Sequence, residues 1–386
     1  MIRWIVLVCL LATTVTAQAK YDPDRSAIRD GWRSVQIELG LSDIVPYRIF
    51  TLDDPRRLVL DFQGLDTGGI SAAPINRADA VTDVRFGPYR PGWTRMVLDL
   101  AAPLTLIEAG ITTDDRGALL SVRLERASAA DFAAAAGAPP DPGWDALTAQ
   151  ALGGLDQRTD DAFVVVLDPG HGGIDPGAER DGITEAHLML DFAEEIAALL
   201  RTQDGVAVVL TRSDDTFVPL FARMSIARGA AADLFISLHA DALEEDDAWG
   251  ASVYTLSEDS GDMAVARLVE RHERGDLLAG VDLSVTEDRV TGVLMDLARR
   301  STGPRAKAFA GSIIAEMAVQ GVRLNSKPRR AGRFSVLLAA DFPSVLIEAG
   351  FLSNAQDREN LVNPQSRGRL VAAIAAAVAQ YRDEAR

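Results

Sequence analysis

Cysteine is almost absent from this 386-residue chain, where Cys9 stands alone. No disulfide can form within the chain, and no cysteine-based zinc ribbon can be built. Positive charge is also scarce: 39 Lys and Arg face 56 Asp and Glu, a net of −17. A chain this acidic is poorly suited to gripping phosphates, so no nucleic acid partner is expected. Histidine occurs four times, at 171, 187, 239 and 272, few enough to weigh singly. Long apolar runs are missing. A spanning helix needs roughly 20 apolar residues, and the run Trp4–Val15 has twelve, so no transmembrane anchor is expected. That run follows the basic start Met1-Ile2-Arg3 and precedes Ala17-Gln18-Ala19, the anatomy of a secretory signal peptide. Residues 1–19 are expected to be cleaved after Ala19, with export to a bacterial periplasm. Val8 precedes Cys9 where a lipoprotein anchor needs a small residue, and cleavage would remove the one cysteine.

What is present is ordinary globular material, 48% hydrophobic and 25% charged. Residues 20–126 read as an all-β sandwich. Val35, Ile37 and Leu39 alternate in Ser34–Leu41, and Arg57–Phe62, Arg95–Leu100 and Ala118–Leu124 are further strands between turn signals. The segments RLVLDF and RMVLDL resemble one another, a pseudo-repeat that suggests two related sheets. Residues 127–161, with Pro139-Pro140, Pro142-Gly143 and Gly153-Gly154, read as a flexible linker with one short helix. From 162 to 386, strands alternate with helices, which predicts an α/β domain with a mostly parallel central sheet flanked by helices. FVVVL at 163–167 is unbroken apolar, as expected of a strand covered on both faces.

Three of these strands end in side chains able to bind zinc. FVVVL leads to His171, Leu234–Leu238 to His239, and Val345–Ile347 to Glu348, while Glu185 opens the helix after the first strand. In parallel α/β sheets, ligands bind beyond the carboxyl ends of strands. Two His and a carboxylate form a catalytic zinc set with one open position, and a further Glu supplies a base. Singly, each has a duller explanation, a hydrogen-bonded structural His or a Glu favoured by the helix dipole. His187 and His272 read as surface or structural residues.

LDPGHGG at 167–173, Glu185, TRSDDTFVPLFARMSIA at 211–227, ADLFISLHADA at 232–242 and VLIEAGFLSN at 345–354 resemble the zinc-dependent N-acetylmuramoyl-L-alanine amidases, of the cell-separation amidase C type. DPRRLVLDF and TRMVLDL resemble the AMIN domain, which accompanies these amidases and binds peptidoglycan. The resemblance implies that His171, Glu185 and His239 hold one zinc ion and that Glu348 is the catalytic carboxylate. The bond cut would join the lactyl group of N-acetylmuramic acid to L-alanine of the stem peptide. Asp168 is a candidate to orient a ligating His, or else a turn cap. Ala186 stands where many relatives place Lys.

A stretch at about 243–306 is longer than a usual connection. It resembles the insert of cell-separation amidases, whose helix blocks the zinc cleft until an activator with a degenerate LytM-type domain displaces it. Residues 258–299 carry ten acidic and five basic residues, and Glu270 and Glu273 are the candidates for contacting zinc. The alternative is a solvated surface helix. Other functional readings are a zinc peptidoglycan peptidase and a non-catalytic wall-binding activator. Nothing in the sequence demands more than a monomer.

Overall fold

A computed structural model describes residues 18–70, 72–138, 162–243, 248–257, 262–278, 292–338 and 341–385. Of the expected signal peptide, residues 1–17 lie outside the described residues. So do 139–161 of the expected linker and 279–291 of the expected insert.

The N-terminal module has ten strands: β1 (Ala19–Gly31), β2 (Ser34–Leu41), β3 (Tyr47–Leu52), β4 (Arg57–Gln63), β5 (Leu65–Asp66), β6 (Asn76–Arg77), β7 (Val81–Arg90), β8 (Trp93–Leu100), β9 (Leu104–Asp114) and β10 (Gly117–Arg126). They form two sheets, one ordered β5-β1-β2-β10-β9 with β6 beside β1, the other β3-β4-β8-β7. Side chains alternate across a strand. Val35, Ile37 and Leu39 of β2 therefore share one core with Leu58, Leu60 and Phe62 of β4 and with Met96 and Leu98 of β8. The pseudo-repeat does not mark two related sheets. Its two copies, β4 and β8, are antiparallel neighbours in one sheet. The short helix Ala129–Ala135 follows, with Ser128 Oγ accepting from Asp131 N as N-cap.

The second domain is α/β with a mixed sheet. Its strands are β11 (Phe163–Pro169), β12 (Glu179–Arg180), β13 (Ile183–Thr184), β14 (Val206–Leu210), β15 (Leu234–His239), β16 (Ala251–Leu256), β17 (Leu324–Gly332) and β18 (Ser344–Glu348). The main sheet runs β14-β11-β15-β18-β16-β17, and β12 and β13 form a separate hairpin. β14, β11, β15 and β18 run parallel, β16 lies antiparallel to β18, and β17 is parallel to β16. The sheet is thus less uniformly parallel than expected. β16 also shows that the long stretch after His239 begins with a sheet strand.

β11 explains the layering. Val165 and Leu167 join a core covered by the helices Glu185–Leu200, Gly292–Val319 and Pro364–Ala385. Val164 and Val166 join a second core on the other face, under the helices Leu220–Gly229 and Met263–Leu278. The register then sets the carboxyl ends side by side: Pro169 opposite Leu238, and His239 opposite Glu348.

Candidate metal centre

His171 leaves β11 with φ of 60°, a left-handed conformation rare for a side chain other than Gly and a strain typical of functional sites. The loop then closes on itself through Gly172 N donating to Asp175 O at 2.8 Å. Gly170 is required by packing, since a Cβ there would lie 2.2 Å from His239 Cε1. Glu185 opens its helix fully buried, and its carboxylate faces both rings. His171 Nε2 lies 3.3 Å from Glu185 Oε2, and His239 Nδ1 lies 3.0 Å from Glu185 Oε1. One ligand atom from each of His171, Glu185 and His239 falls within 4.8 Å of the others. The donor set, two imidazoles and a carboxylate, is that of a catalytic zinc site.

Charge is balanced tightly here. Burial alone would push His171 down, but the Asp175 and Glu185 carboxylates outweigh it and hold its pKa well above the ordinary value. Burial would push Glu185 up, but His171 and His239 hold it well below the usual carboxylate range. Burial, with His272 nearby, pushes His239 down to about 4.

Asp168 makes no hydrogen bond to either ring. It accepts from Thr211 Oγ1 at 2.6 Å, Ser237 Oγ at 2.7 Å and Arg223 Nη1 at 2.7 Å, which makes it an anchor for the loop base. The orienting carboxylate belongs instead to Asp175, whose Oδ2 lies 2.7 Å from His171 Nδ1. A carboxylate on the second ring nitrogen fixes the orientation of a ligating imidazole. Asp175→Asn is expected to weaken zinc affinity about 10- to 100-fold, measured by competition with a chelator. Arg223 also donates to the carbonyls of Pro169 and His171, and Arg212 to those of Pro169, Gly170 and Ala186. Two cations therefore clamp the backbone that carries His171. Arg223→Ala leaves Asp168 buried without its cation. It is expected to destabilise the fold by about 3–5 kcal/mol, read from chemical unfolding.

Glu348 ends β18 fully buried, with Oε2 accepting from Asp241 N at 3.1 Å. Burial, with Glu185 adding to it against the pull of His239, raises its pKa to about 7. Asp241 is raised to about 8, by burial and then by Glu185 and Glu348.

The family model described as N-acetylmuramoyl-L-alanine amidase matches residues 165–380, and that of the AMIN domain matches residues 28–121. The chain belongs to the N-acetylmuramoyl-L-alanine amidase family. Among similar proteins, amidase AmiC of Neisseria meningitidis is 30% identical over 90% of this chain and 86% of its own length. Amidase AmiA of Escherichia coli is 39% identical over 56% of this chain and 75% of its own. A solved structure of amidase AmiC2 from Nostoc punctiforme is 27% identical over 57% of this chain and 96% of its own, with a TM-score of 0.42.

In this amidase a residue that reads from the sequence as surface or structural lies against the cluster. His272, on the helix Met263–Leu278, is 7% exposed. Its ring lies 4.0 Å from that of His239 and 6.1 Å from that of His171, and its Nε2 is 3.2 Å from Glu348 Oε1. Burial pushes its pKa down to about 3, so the ring is neutral. The helix is seated by Val265 and Leu268 in the core. Arg271 adds an ion pair to Asp241 Oδ1 at 2.9 Å and a hydrogen bond to the Ala242 carbonyl. Glu270 is exposed on this helix. The side chain of Glu273 lies outside the described residues. His187 matches its surface reading.

A bound dication fits these surroundings. Among the described residues, both ring nitrogens of His272, Glu348 Oε1 and Asp241 Oδ2 are buried without a hydrogen-bond partner. Each orphan of this kind costs about 1–3 kcal/mol, a cost that coordination to a metal or to metal-bound water would offset.

Proposed function

We propose that the chain is an exported peptidoglycan amidase that cuts the bond between the lactyl group of N-acetylmuramic acid and the L-alanine of the stem peptide. His171, Glu185 and His239 hold one zinc ion in this reading. Zinc, when bound there, supplies Lewis acidity toward the scissile carbonyl and lowers the pKa of its water to about 7. Glu348 takes the proton from the attacking water and returns it to the leaving amine. Its buried carboxylate, set beside His239 by strand register, is the single observation that carries this assignment. A dication close by would pull its pKa below the value of about 7 it has through burial.

The insert helix keeps the enzyme shut. His272 covers the cluster face that substrate would need and stands against the proposed base. A LytM-type activator that lifts Met263–Leu278 would expose Glu348 and free the open coordination position. The AMIN domain would hold the enzyme on the wall, and the export signal at 1–19 would deliver it to the periplasm, where it serves septal cell separation as a monomer. Mass spectrometry of digested sacculi tests the bond assignment. Intact stem peptides free of sugar are expected, and peptides cut internally and still bound to sugar would point to a peptidase instead.

A further inference from the structure

The strand β4 is buried at every position from Arg57 to Phe62. Leu58, Leu60 and Phe62 face the sandwich core. Arg57, Val59 and Asp61 face the other way, and so do Arg95 and Val97 of β8, yet all five are at most 3% exposed. The antiparallel register explains how charge is tolerated there: Arg57 opposes Asp99, Val59 opposes Val97, and Asp61 opposes Arg95. A sheet face sealed this completely has something packed on it.

Part of that cover is the loop that carries His171. Val97 and Tyr89 form one apolar cluster with Ile174 and Phe217 of the catalytic domain. The Tyr89 ring stacks on Phe217 at 6.0 Å with 16° between planes. The Tyr89 ring centroid also lies 3.4 Å from the Arg95 guanidinium carbon, and that guanidinium is held in turn by Asp61 at 2.5 Å and 2.8 Å. The backbones meet as well, with Ile174 N donating to the Pro88 carbonyl at 2.8 Å. Two glycines allow the approach. A Cβ on Gly173 would lie 2.3 Å from the Pro88 oxygen, and one on Gly87 would lie 3.3 Å from Ile174 Cα. Ile174 directly precedes Asp175, whose carboxylate meets the His171 ring.

We propose that the β-sandwich module is a working part of the metal centre: Pro88 and Tyr89 fix the 171–175 loop, so that docking of the module sets how firmly His171 and Asp175 hold the metal. Tyr89 is a positioning residue, acting through Phe217 and Ile174. The module is then more than a tether, because a shift of it on the wall would reach the metal through one hydrogen bond and one ring stack. This inference rests on the reading of His171, Glu185 and His239 as metal ligands.

The test uses the full chain with Tyr89→Ala, Tyr89→Phe and Phe217→Ala. Zinc affinity is read by chelator competition, the visible spectrum of the cobalt-substituted protein reports ligand geometry, and hydrogen exchange is followed at residues 172–176. Tyr89→Ala is expected to weaken zinc binding about 3- to 10-fold, less than loss of a direct orienting partner. It should also alter the cobalt spectrum and speed exchange at Ile174. Tyr89→Phe keeps the ring and should restore all three. Phe217→Ala removes the same stack from the catalytic side and should match Tyr89→Ala without touching the sandwich core. Wild-type affinity and wild-type loop protection in either alanine variant would overturn the coupling. A wild-type chain that itself binds no zinc would overturn the metal reading, and the coupling with it.

Discussion

Glu348→Ala is expected to lower turnover about 10²- to 10⁴-fold, the usual contribution of a general acid–base group, while zinc content stays at the wild-type level. Both halves of the expectation come from position. Glu348 ends β18 beside His239 but is not among the three groups whose ligand atoms cluster within 4.8 Å. Its carboxyl is fully buried and receives one backbone N–H from Asp241, while its other oxygen has no hydrogen-bond partner and lies 3.2 Å from His272 Nε2. A base needs an oxygen that can take the proton of the reacting water, and in the proposed reading Glu348 Oε1 becomes that oxygen once His272 moves away. Glu348→Gln keeps the shape and the Asp241 contact but cannot accept a proton, so it should fall with the alanine variant. Either variant hydrolysing peptidoglycan at the wild-type rate would remove Glu348 from the mechanism.

The second large effect runs in the opposite direction. Deleting residues 258–299 is expected to raise basal release of dye from labelled peptidoglycan about 10- to 100-fold. This corresponds to a closed state favoured by about 1.4–2.8 kcal/mol. His272→Ala should give part of the same gain, because it removes the ring that stands over His239 while Val265 and Leu268 still seat the helix. Arg271→Ala, which breaks the ion pair to Asp241, should give a smaller gain. A folded deletion variant with unchanged or lower activity would contradict the closed state.

Much of the site was legible in the sequence because strand ends are legible. Largely apolar strands leading to His171, His239 and Glu348 place three side chains at one edge of the parallel part of the sheet. What stayed hidden depends on contacts distant in sequence or on backbone shape. Asp175 meets His171 only because a left-handed residue and Gly172 turn the loop back, whereas Asp168, nearer in sequence, points into the base of the loop. His272 sits among charged residues on an amphipathic helix, a pattern shared with any solvated surface helix. Its burial follows from where Val265 and Leu268 pack, not from its neighbours in the chain.

The fold followed the same division. The alternation in β2 and the apolar run in β11 identified strands directly. β17, with the sequence LNSKPRRAG, carries three cations and a proline, and its strand character comes from its place at the sheet edge beside β16. The pseudo-repeat in β4 and β8 was visible, but its meaning lies in the antiparallel register that sets Arg95 against Asp61. No periodicity discloses which face of a charged strand another domain will cover.

Zinc content, determined on the purified full chain and on His171→Ala at equal fold content, tests the central claim most directly. The geometry predicts one zinc per wild-type chain, removable by a chelator together with amidase activity and restored with it on re-addition, and a His171→Ala chain with little or none. A His171→Ala chain that still holds a full equivalent of zinc, or a metal-free wild type that still frees stem peptides, would contradict the assignment of His171, Glu185 and His239 as the catalytic metal centre.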